Sequence, residues 1–249
     1  FSTVSESLTP EELVLLLNEY LTTMCDVISS YNGTVDKFEG DAIIAFWGAP
    51  LDNPEHARDG CLAALDMQER NIELRKKLRE ENRPMLYTRM GINSGPIVVG
   101  NMGSASKTDY TMMGDNVNLA ARLEGANKFY KTYTMIAENT YKLAEDSIDV
   151  RYLDVVRVVG KNEPVKIYQL LAKKNELAGS MQDVIEFYEK GMKCYQDLNF
   201  KDAISHFQNA LKIEPEDGPC LTYLNRCKLY LEQPPSKDWD GVFNFTEKG

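Results

Sequence analysis

The chain has 249 residues, 43% of them apolar, and a formal net charge of −10. That is enough to bury a good core, in one large domain or two modest ones. The acidic balance argues against a nucleic-acid binder, which needs a concentrated basic face. It leaves room for a triphosphate site, where a few local cations outweigh the global field.

Thr9-Pro10-Glu11-Glu12 predicts a helix start, with Thr9 as cap, Pro10 in the first position and Glu12 reaching back. Leu13, Leu17, Tyr20, Leu21, Met24 and Ile28 recur at helical spacing, and Asn32-Gly33 ends the run. A hairpin is expected over about 34–47. A charged helix capped by Asn53-Pro54 comes next, and Pro84 stops it. Strands are expected at Leu86–Ile92, Ile97–Val99 and Asp109–Met112, then a helix over Asp115–Asn127. Thr132–Ala137 reads as a strand, Glu138–Glu145 as a short helix, and Val150–Val159 with Val165–Leu171 as closing strands around Gly160-Lys161. Irregular alternation with hairpins fits an α+β sheet covered by helices better than a doubly wound parallel sheet.

Ala172–Met181 is polar and reads as a linker. Beyond it the pattern is all helix. Phe187, Gly191, Ala203, Phe207, Ala210 and Pro215 match the spacing of a tetratricopeptide repeat, with Cys194 where an aromatic is expected and Tyr195 beside it. A third helix is expected at about Gly218–Leu231. One such repeat cannot bury its own face, so it must pack on the first domain, on another chain or on its twin. The tail over 234–249 carries Trp239, Phe243 and Phe245 and is expected to dock.

Five cysteines without a Cys-x-x-Cys pair, and two distant histidines, His56 and His206, do not make a zinc site. Reduced thiols in the cytoplasm are expected. No apolar run reaches the roughly 18 residues that span a bilayer, and no signal peptide is visible. The chain opens on Phe1-Ser-Thr without an initiator Met and reads as part of a longer protein.

Two runs carry chemistry. In Val35-Asp-Lys-Phe-Glu-Gly-Asp-Ala-Ile-Ile-Ala-Phe-Trp47, Lys37 and Asp41 flank a Glu39-Gly40 corner. A carboxylate there can face metal-bound phosphate, and Mg²⁺ takes one or two carboxylates plus phosphate oxygens, so Asp41 is half of such a site. In Asp109-Tyr-Thr-Met-Met-Gly-Asp-Asn-Val-Asn-Leu-Ala-Ala-Arg-Leu-Glu-Gly125, Asn118 and Arg122 share one helical face and can meet a single ligand. The arginine fork suits a phosphoryl group.

Lys37–Asp41, Gly91-Ile-Asn-Ser-Gly-Pro-Ile-Val-Val-Gly-Asn-Met-Gly103, Asp109–Gly125 and Gly160-Lys161 resemble, in order and spacing, the class III adenylate/guanylate cyclase catalytic domain. The resemblance covers about residues 1–171. It implies a ferredoxin-like α+β fold and active sites at a head-to-tail dimer interface, where two aspartates of one subunit bind two metal ions, Mg²⁺ or Mn²⁺. Asp41 then matches the second metal aspartate, Lys37 and Thr111 the base readers, Asn118 the ribose-orienting residue, Arg122 the transition-state cation and Lys161 the triphosphate cation. Lys37 and Asp41 of one chain would serve different active sites of the homodimer.

A lysine donor and a threonine oxygen complement adenine's ring nitrogen and amine, whereas guanine reverses that pattern. ATP is therefore the implied substrate, with Thr111 placing the chain in the Thr-bearing bacterial subgroup. The family's Asp-Ile-x-Gly-Phe motif would end at Phe1, which puts the first metal aspartate and its strand upstream. The chain alone is accordingly expected to be nearly inactive. The rival readings are a cyclase-fold scaffold acting through its tetratricopeptide-like tail, and a guanylate cyclase, which Lys37 disfavours. The activating signal and the tail's protein partner, if it has one besides the chain itself, are not written in the sequence.

Overall fold

The computed structural model describes residues 2–157, 164–236, 239 and 243–244. After a short helix α1 (Ser2–Glu6), α2 (Pro10–Ser30) starts at the capping box read from the sequence. Thr9 accepts from the Glu12 amide, and the Glu12 carboxylate accepts from the Thr9 amide at 2.9 Å. Strands β1 (Thr34–Glu39) and β2 (Ala42–Phe46) form an antiparallel hairpin. Helix α3 (His56–Glu80) lies against α2, and the two enclose Leu16, Tyr20, Met24, Ile28, Met67 and Leu78, with Ile43, Ala45 and Trp47 of the hairpin packed on that cluster.

The main sheet comprises β3 (Met90–Ile92), β6 (Thr134–Ala137), β8 (Val165–Lys173), β7 (Ile148–Arg157) and β9 (Phe243–Asn244), in that spatial order. A second hairpin, β4 (Val98–Gly103) with β5 (Thr108–Met113), leads into α4 (Asp115–Tyr130). The short helix α5 (Glu138–Ala144) comes after β6. Strand β6 is buried on both faces. Ile136 joins Cys61, Ala64 and Leu170 in a cluster with α3, whereas Met135 and Ala137 join Leu119, Leu123 and Tyr130 of α4 on the opposite face. The mixed sheet with helices on both faces is the α+β arrangement expected.

Several boundaries differ from the sequence reading. Helix α3 starts at His56, with Glu55 rather than Asn53 at its N-cap and no side-chain cap bond, β4 runs on to Gly103, and α4 continues to Tyr130. The strand expected from Leu86 begins only at Met90, because the preceding carbonyls are taken by side chains of α3: Arg75 donates to the Leu86 oxygen at 3.3 Å and Gln68 to that of Thr88 at 3.0 Å. The polar stretch expected as a linker over 172–181 shrinks to 174–178. Ala172 and Lys173 still pair with Asp149 and Ile148, and Gly179 opens the next helix.

That helix, α6 (Gly179–Gln196), is followed by α7 (Phe200–Ile213) and α8 (Gly218–Glu232). Gly191, Ala203, Phe207 and Ala210 are buried, as their spacing anticipated. Tyr195, beside Cys194, is buried and meets Phe200, Tyr223, Tyr230 and Trp239 at ring separations of 4.9–6.1 Å. The helices turn their apolar face inward, and one continuous core contains Val184, Tyr188, Phe207 and Tyr223 of the tail together with Leu123, Tyr130, Leu153 and Ile167 of the sheet half.

Two buried ion pairs cross this junction. Arg151 of β7, 2% exposed, donates from Nη1 to Asp217 at 3.0 Å and from Nη2 to Gln169 at 2.6 Å, and its guanidinium lies 4.9 Å from the Tyr188 ring. Asp217 also caps α8, accepting from the Cys220 amide at 2.9 Å. Asp154 accepts from Arg226 at 2.6 Å and from the Tyr130 hydroxyl at 2.7 Å. Burial, with the Asp154 carboxylate adding to it, pushes the Tyr130 phenol well above its ordinary value. A register shift between Tyr152 and Asp154 coincides with the turning of the Leu153 carbonyl to the Tyr223 hydroxyl, 2.6 Å away.

Removing one partner of such a pair strands a buried charge. Asp217→Ala is expected to lower the unfolding free energy by about 3–5 kcal/mol, read as a shift of the urea midpoint. An unchanged midpoint would contradict the role given to the pair.

Candidate active site

Lys37 lies on β1 and Thr111 on β5, and the fold brings the two hairpins together. The Thr111 hydroxyl donates to Asp36 Oδ2 at 2.8 Å, and the same oxygen is 3.7 Å from Lys37 Nζ. Thr111 is buried, the Asp36 side chain is 3% exposed, and that of Lys37 is 43% exposed. Phe46 and Tyr110 add a tilted ring contact at 6.3 Å between the same hairpins.

Asp36 was missed by sequence reasoning. Strict alternation set it with Phe38 on the face opposite Lys37. The structure instead has a register shift between Val35 and Lys37, which makes Asp36 the extra residue of a bulge. A carboxylate directly before a site lysine, in a strand too short to absorb an irregularity elsewhere, was the available signal.

Asp41 occupies the turn between β1 and β2 and is exposed. Its charge reaches the Tyr20 phenol, whose pKa is raised chiefly by burial and additionally by Asp41. Among the described residues, no group of three His, Cys, Asp or Glu side chains is arranged to hold a metal. One exposed carboxylate fits as a single protein ligand of a metal–nucleotide, since Mg²⁺ keeps waters and phosphate oxygens in most positions. It does not make a self-sufficient metal cage.

Asn118 and Arg122 project from α4, with Asn118 exposed and Arg122 half-buried. Neither side chain has a hydrogen bond or ion pair among the described residues. Their opposite neighbours Leu119 and Leu123 are in the core. The helix itself is held along its length. At its start, Asn93 donates to the Asn116 carbonyl at 3.1 Å, and Asn116 donates to the Pro96 carbonyl at 2.8 Å. Near its end, Asn127 donates to the Met90 carbonyl at 2.9 Å. Gly91 of β3 lies so close beneath that a Cβ there would stand 2.1 Å from the Ala120 carbonyl oxygen and 2.3 Å from the Glu124 nitrogen. Gly218 of α8 meets the last turn, where a Cβ would come within 2.4 Å of the Tyr130 oxygen. The anchoring asparagines and glycines were not singled out from sequence, since each acts through a contact to a distant segment.

Lys161 lies outside the described residues. An open cavity of 480 Å³, bounded by His56, Ser94, Gly95, Asn139, Lys142 and Leu143, includes none of these side chains. No helix among the described residues is long and apolar enough to cross a membrane.

A mixed sheet flanked by two hairpins brings Lys37 and Thr111 to one carboxylate, and Arg122 on the next helix has no hydrogen bond or ion pair among the described residues. Residues 1–172 match the model of the adenylate and guanylate cyclase catalytic domain, and the chain belongs to that family. Adenylate cyclase 1 of Rhizobium meliloti (strain 1021) is 36% identical over 171 residues, covering 69% of this chain and 26% of that protein. The adenylate cyclase of Dictyostelium discoideum described as terminal-differentiation specific is 31% identical over 231 residues, covering 91% of this chain and 11% of that protein. This second match extends past residue 172, into the helical tail. Among solved structures, the adenylyl cyclase CyaB from P. aeruginosa superposes with a TM-score of 0.64 at 34% identity, over 71% of this chain and 91% of that one. The guanylyl cyclase Cya2 gives 0.65, also at 34% identity, over 71% and 88%. The chain thus spans about a quarter or less of either curated relative.

The contact under α4 can be tested directly. Gly91→Ala drives a methyl into the helix backbone and is expected to destabilise by about 1–3 kcal/mol. Gly179→Ala, where a Cβ meets nothing within 4 Å, should change stability by a few tenths at most. Equal urea midpoints for the two variants would refute the close approach.

Proposed function

We propose that this chain is the catalytic region of an adenylate cyclase acting in signal transduction, converting ATP to 3′,5′-cyclic AMP and pyrophosphate at a homodimer interface. The observation that carries this reading is the meeting of Lys37 and Thr111, from separate hairpins, at one carboxylate. A lysine donor beside a threonine oxygen matches adenine's ring nitrogen and amine and opposes guanine's arrangement. The relatives whose names specify adenylate cyclases support the same base. Thr111 aligns the chain with the Thr-bearing subgroup.

In the reaction the ribose 3′-oxygen bonds to the α-phosphorus, the bond to the pyrophosphate oxygen breaks, and the 3′-hydroxyl proton leaves. Asn118 holds the ribose. The Arg122 fork meets charge building on the phosphate oxygens, and Lys161 neutralises the triphosphate. Mg²⁺ or Mn²⁺, two ions per site, would supply polarisation of the α-phosphate and a more acidic 3′-hydroxyl, with Asp41 as one ligand. The site is proposed to be divided between two chains, as the resemblance implies; among the described residues, Lys37 and Thr111 share a cluster without a hydrogen bond or ion pair to Asn118 or Arg122. The tail is read as a tetratricopeptide-like unit whose apolar face is occupied by the catalytic half, so its inner surface is not free for another protein.

Because Arg122 has no structural ion pair to lose, Arg122→Ala in the natural protein is expected to cut cyclic AMP formation by about 100-fold or more, with its thermal midpoint unchanged. The assay supplies ATP or GTP with Mg²⁺ or Mn²⁺ and separates the cyclic products. Unchanged turnover would remove Arg122 from its role, and preferential use of GTP would overturn the choice of base.

A further inference from the structure

We infer that Asp36 is a positioning residue that fixes which base the site accepts, by setting the hydrogen-bond polarity of Thr111 beside the donor Lys37. The inference rests on the reading of those two residues as base readers and adds a third group that does not itself touch the base.

A threonine hydroxyl is ambiguous, because it can donate one hydrogen or accept through its lone pairs. Left free, Thr111 could accept from the amine of adenine or rotate and donate to the carbonyl oxygen of guanine. It would then discriminate little. Asp36 removes the ambiguity. An ionised carboxylate has no hydrogen to give, so the hydrogen in the 2.8 Å contact is that of Thr111. With its hydrogen committed to Asp36, Thr111 offers a ligand lone pairs only. It accepts from the adenine amine and faces the guanine carbonyl oxygen acceptor to acceptor.

The same Asp36 oxygen lies 3.7 Å from Lys37 Nζ, so the lysine, whose ammonium can only donate, stands beside the acceptor that Asp36 makes of Thr111. Adenine's ring nitrogen can take that hydrogen; the corresponding nitrogen of guanine already carries one. With Asp36 in place the pair reads as one acceptor, Thr111, and one donor, Lys37, the complement of adenine at both positions. The alternative of a solvated surface aspartate does not fit a side chain only 3% exposed. The bulge that places it there disrupts the β1–β2 ladder, a cost that needs a compensating contact. The cross-strand partner of Thr111 is Gly100, where a Cβ would meet nothing within 4 Å.

The test measures kcat and KM for ATP and GTP in the natural protein and in Asp36→Asn, Asp36→Ala, Thr111→Val, Thr111→Ser and the Asp36→Asn/Thr111→Val double variant. Asp36→Asn is nearly isosteric and can donate to Thr111, so it should lower the ATP-to-GTP ratio of kcat/KM by at least about tenfold. Most of the change should be in KM, with the thermal midpoint held within a few degrees. Thr111→Ser keeps the hydroxyl and should keep the preference. In the Thr111→Val background, the Asp36→Asn change should shift the ratio by no more than about half of its single effect on a logarithmic scale. An unchanged ratio in Asp36→Asn, or full additivity in the double variant, overturns the inference while leaving the adenylate cyclase reading intact. A natural protein without preference for ATP, or a Thr111→Val variant with undiminished preference, fails at the underlying reading and takes this inference with it.

Discussion

The buried charges between sheet and tail are the constraint on which the remaining structure depends. Arg151 and Arg226 are cations withdrawn from water, a state costing several kcal/mol each unless paired and fully hydrogen-bonded. Arg151 finds its partners where β7, β8 and the start of α8 converge, and Arg226 meets Asp154 and Tyr130 where α8 reaches β7 and the end of α4. Neither half of the chain completes these sets alone. The tail is therefore not an appendage: α6, α7 and α8 close the core over one face of the sheet, and their position is fixed by groups that tolerate little displacement. Through Tyr130 and Gly218 the same junction fixes the end of α4, the helix bearing Asn118 and Arg122.

Rigidity and availability are divided accordingly along α4. Its apolar neighbours and its asparagines are used for anchoring, which leaves Asn118 and Arg122 without a hydrogen bond or ion pair among the described residues. In the role proposed for Arg122, an arginine without such a partner on a firmly held helix is organised in advance for charge that arises only during reaction. Had Arg122 been paired with a neighbouring carboxylate, that pair would have to break before the side chain could meet a ligand. The acidic net charge of the chain makes such uncommitted cations more conspicuous.

Much of this was legible in the sequence where a local rule decides. The Thr9–Glu12 capping box, the helical spacing of α2, the break at Asn32-Gly33 and the buried positions of α6 and α7 arise from interactions within a few residues or from periodicity. The proposed site residues came from resemblance; the structure groups Lys37 with Thr111 and, among the described residues, gives Asp41, Asn118 and Arg122 no hydrogen bond or ion pair. The features that could not be read depend on distant partners. The carbonyls of Leu86 and Thr88 are diverted by Arg75 and Gln68, so a sequence with strand composition is not a strand there. Gly91 reads as an ordinary strand glycine until α4 is laid over it. Asp36 escaped because alternation assumes an unbroken ladder, and one inserted residue reverses the facing of every later residue in the strand.

The two hairpins also explain why base recognition and local order are not separate problems in this fold. A two-stranded hairpin is marginal in water on its own, and neither β1–β2 nor β4–β5 is hydrogen-bonded into the main sheet among the described residues. Their mutual contact is carried by Phe46 against Tyr110 and by Thr111 bonded to Asp36. The first is apolar and indifferent to the ligand. The second consumes the one hydrogen that the Thr111 hydroxyl can give. If Thr111 reads the base as proposed, the hydrogen bond that docks one hairpin on the other is the same one that removes the response to guanine, and alignment of the hairpins and polarity of the base site are set together.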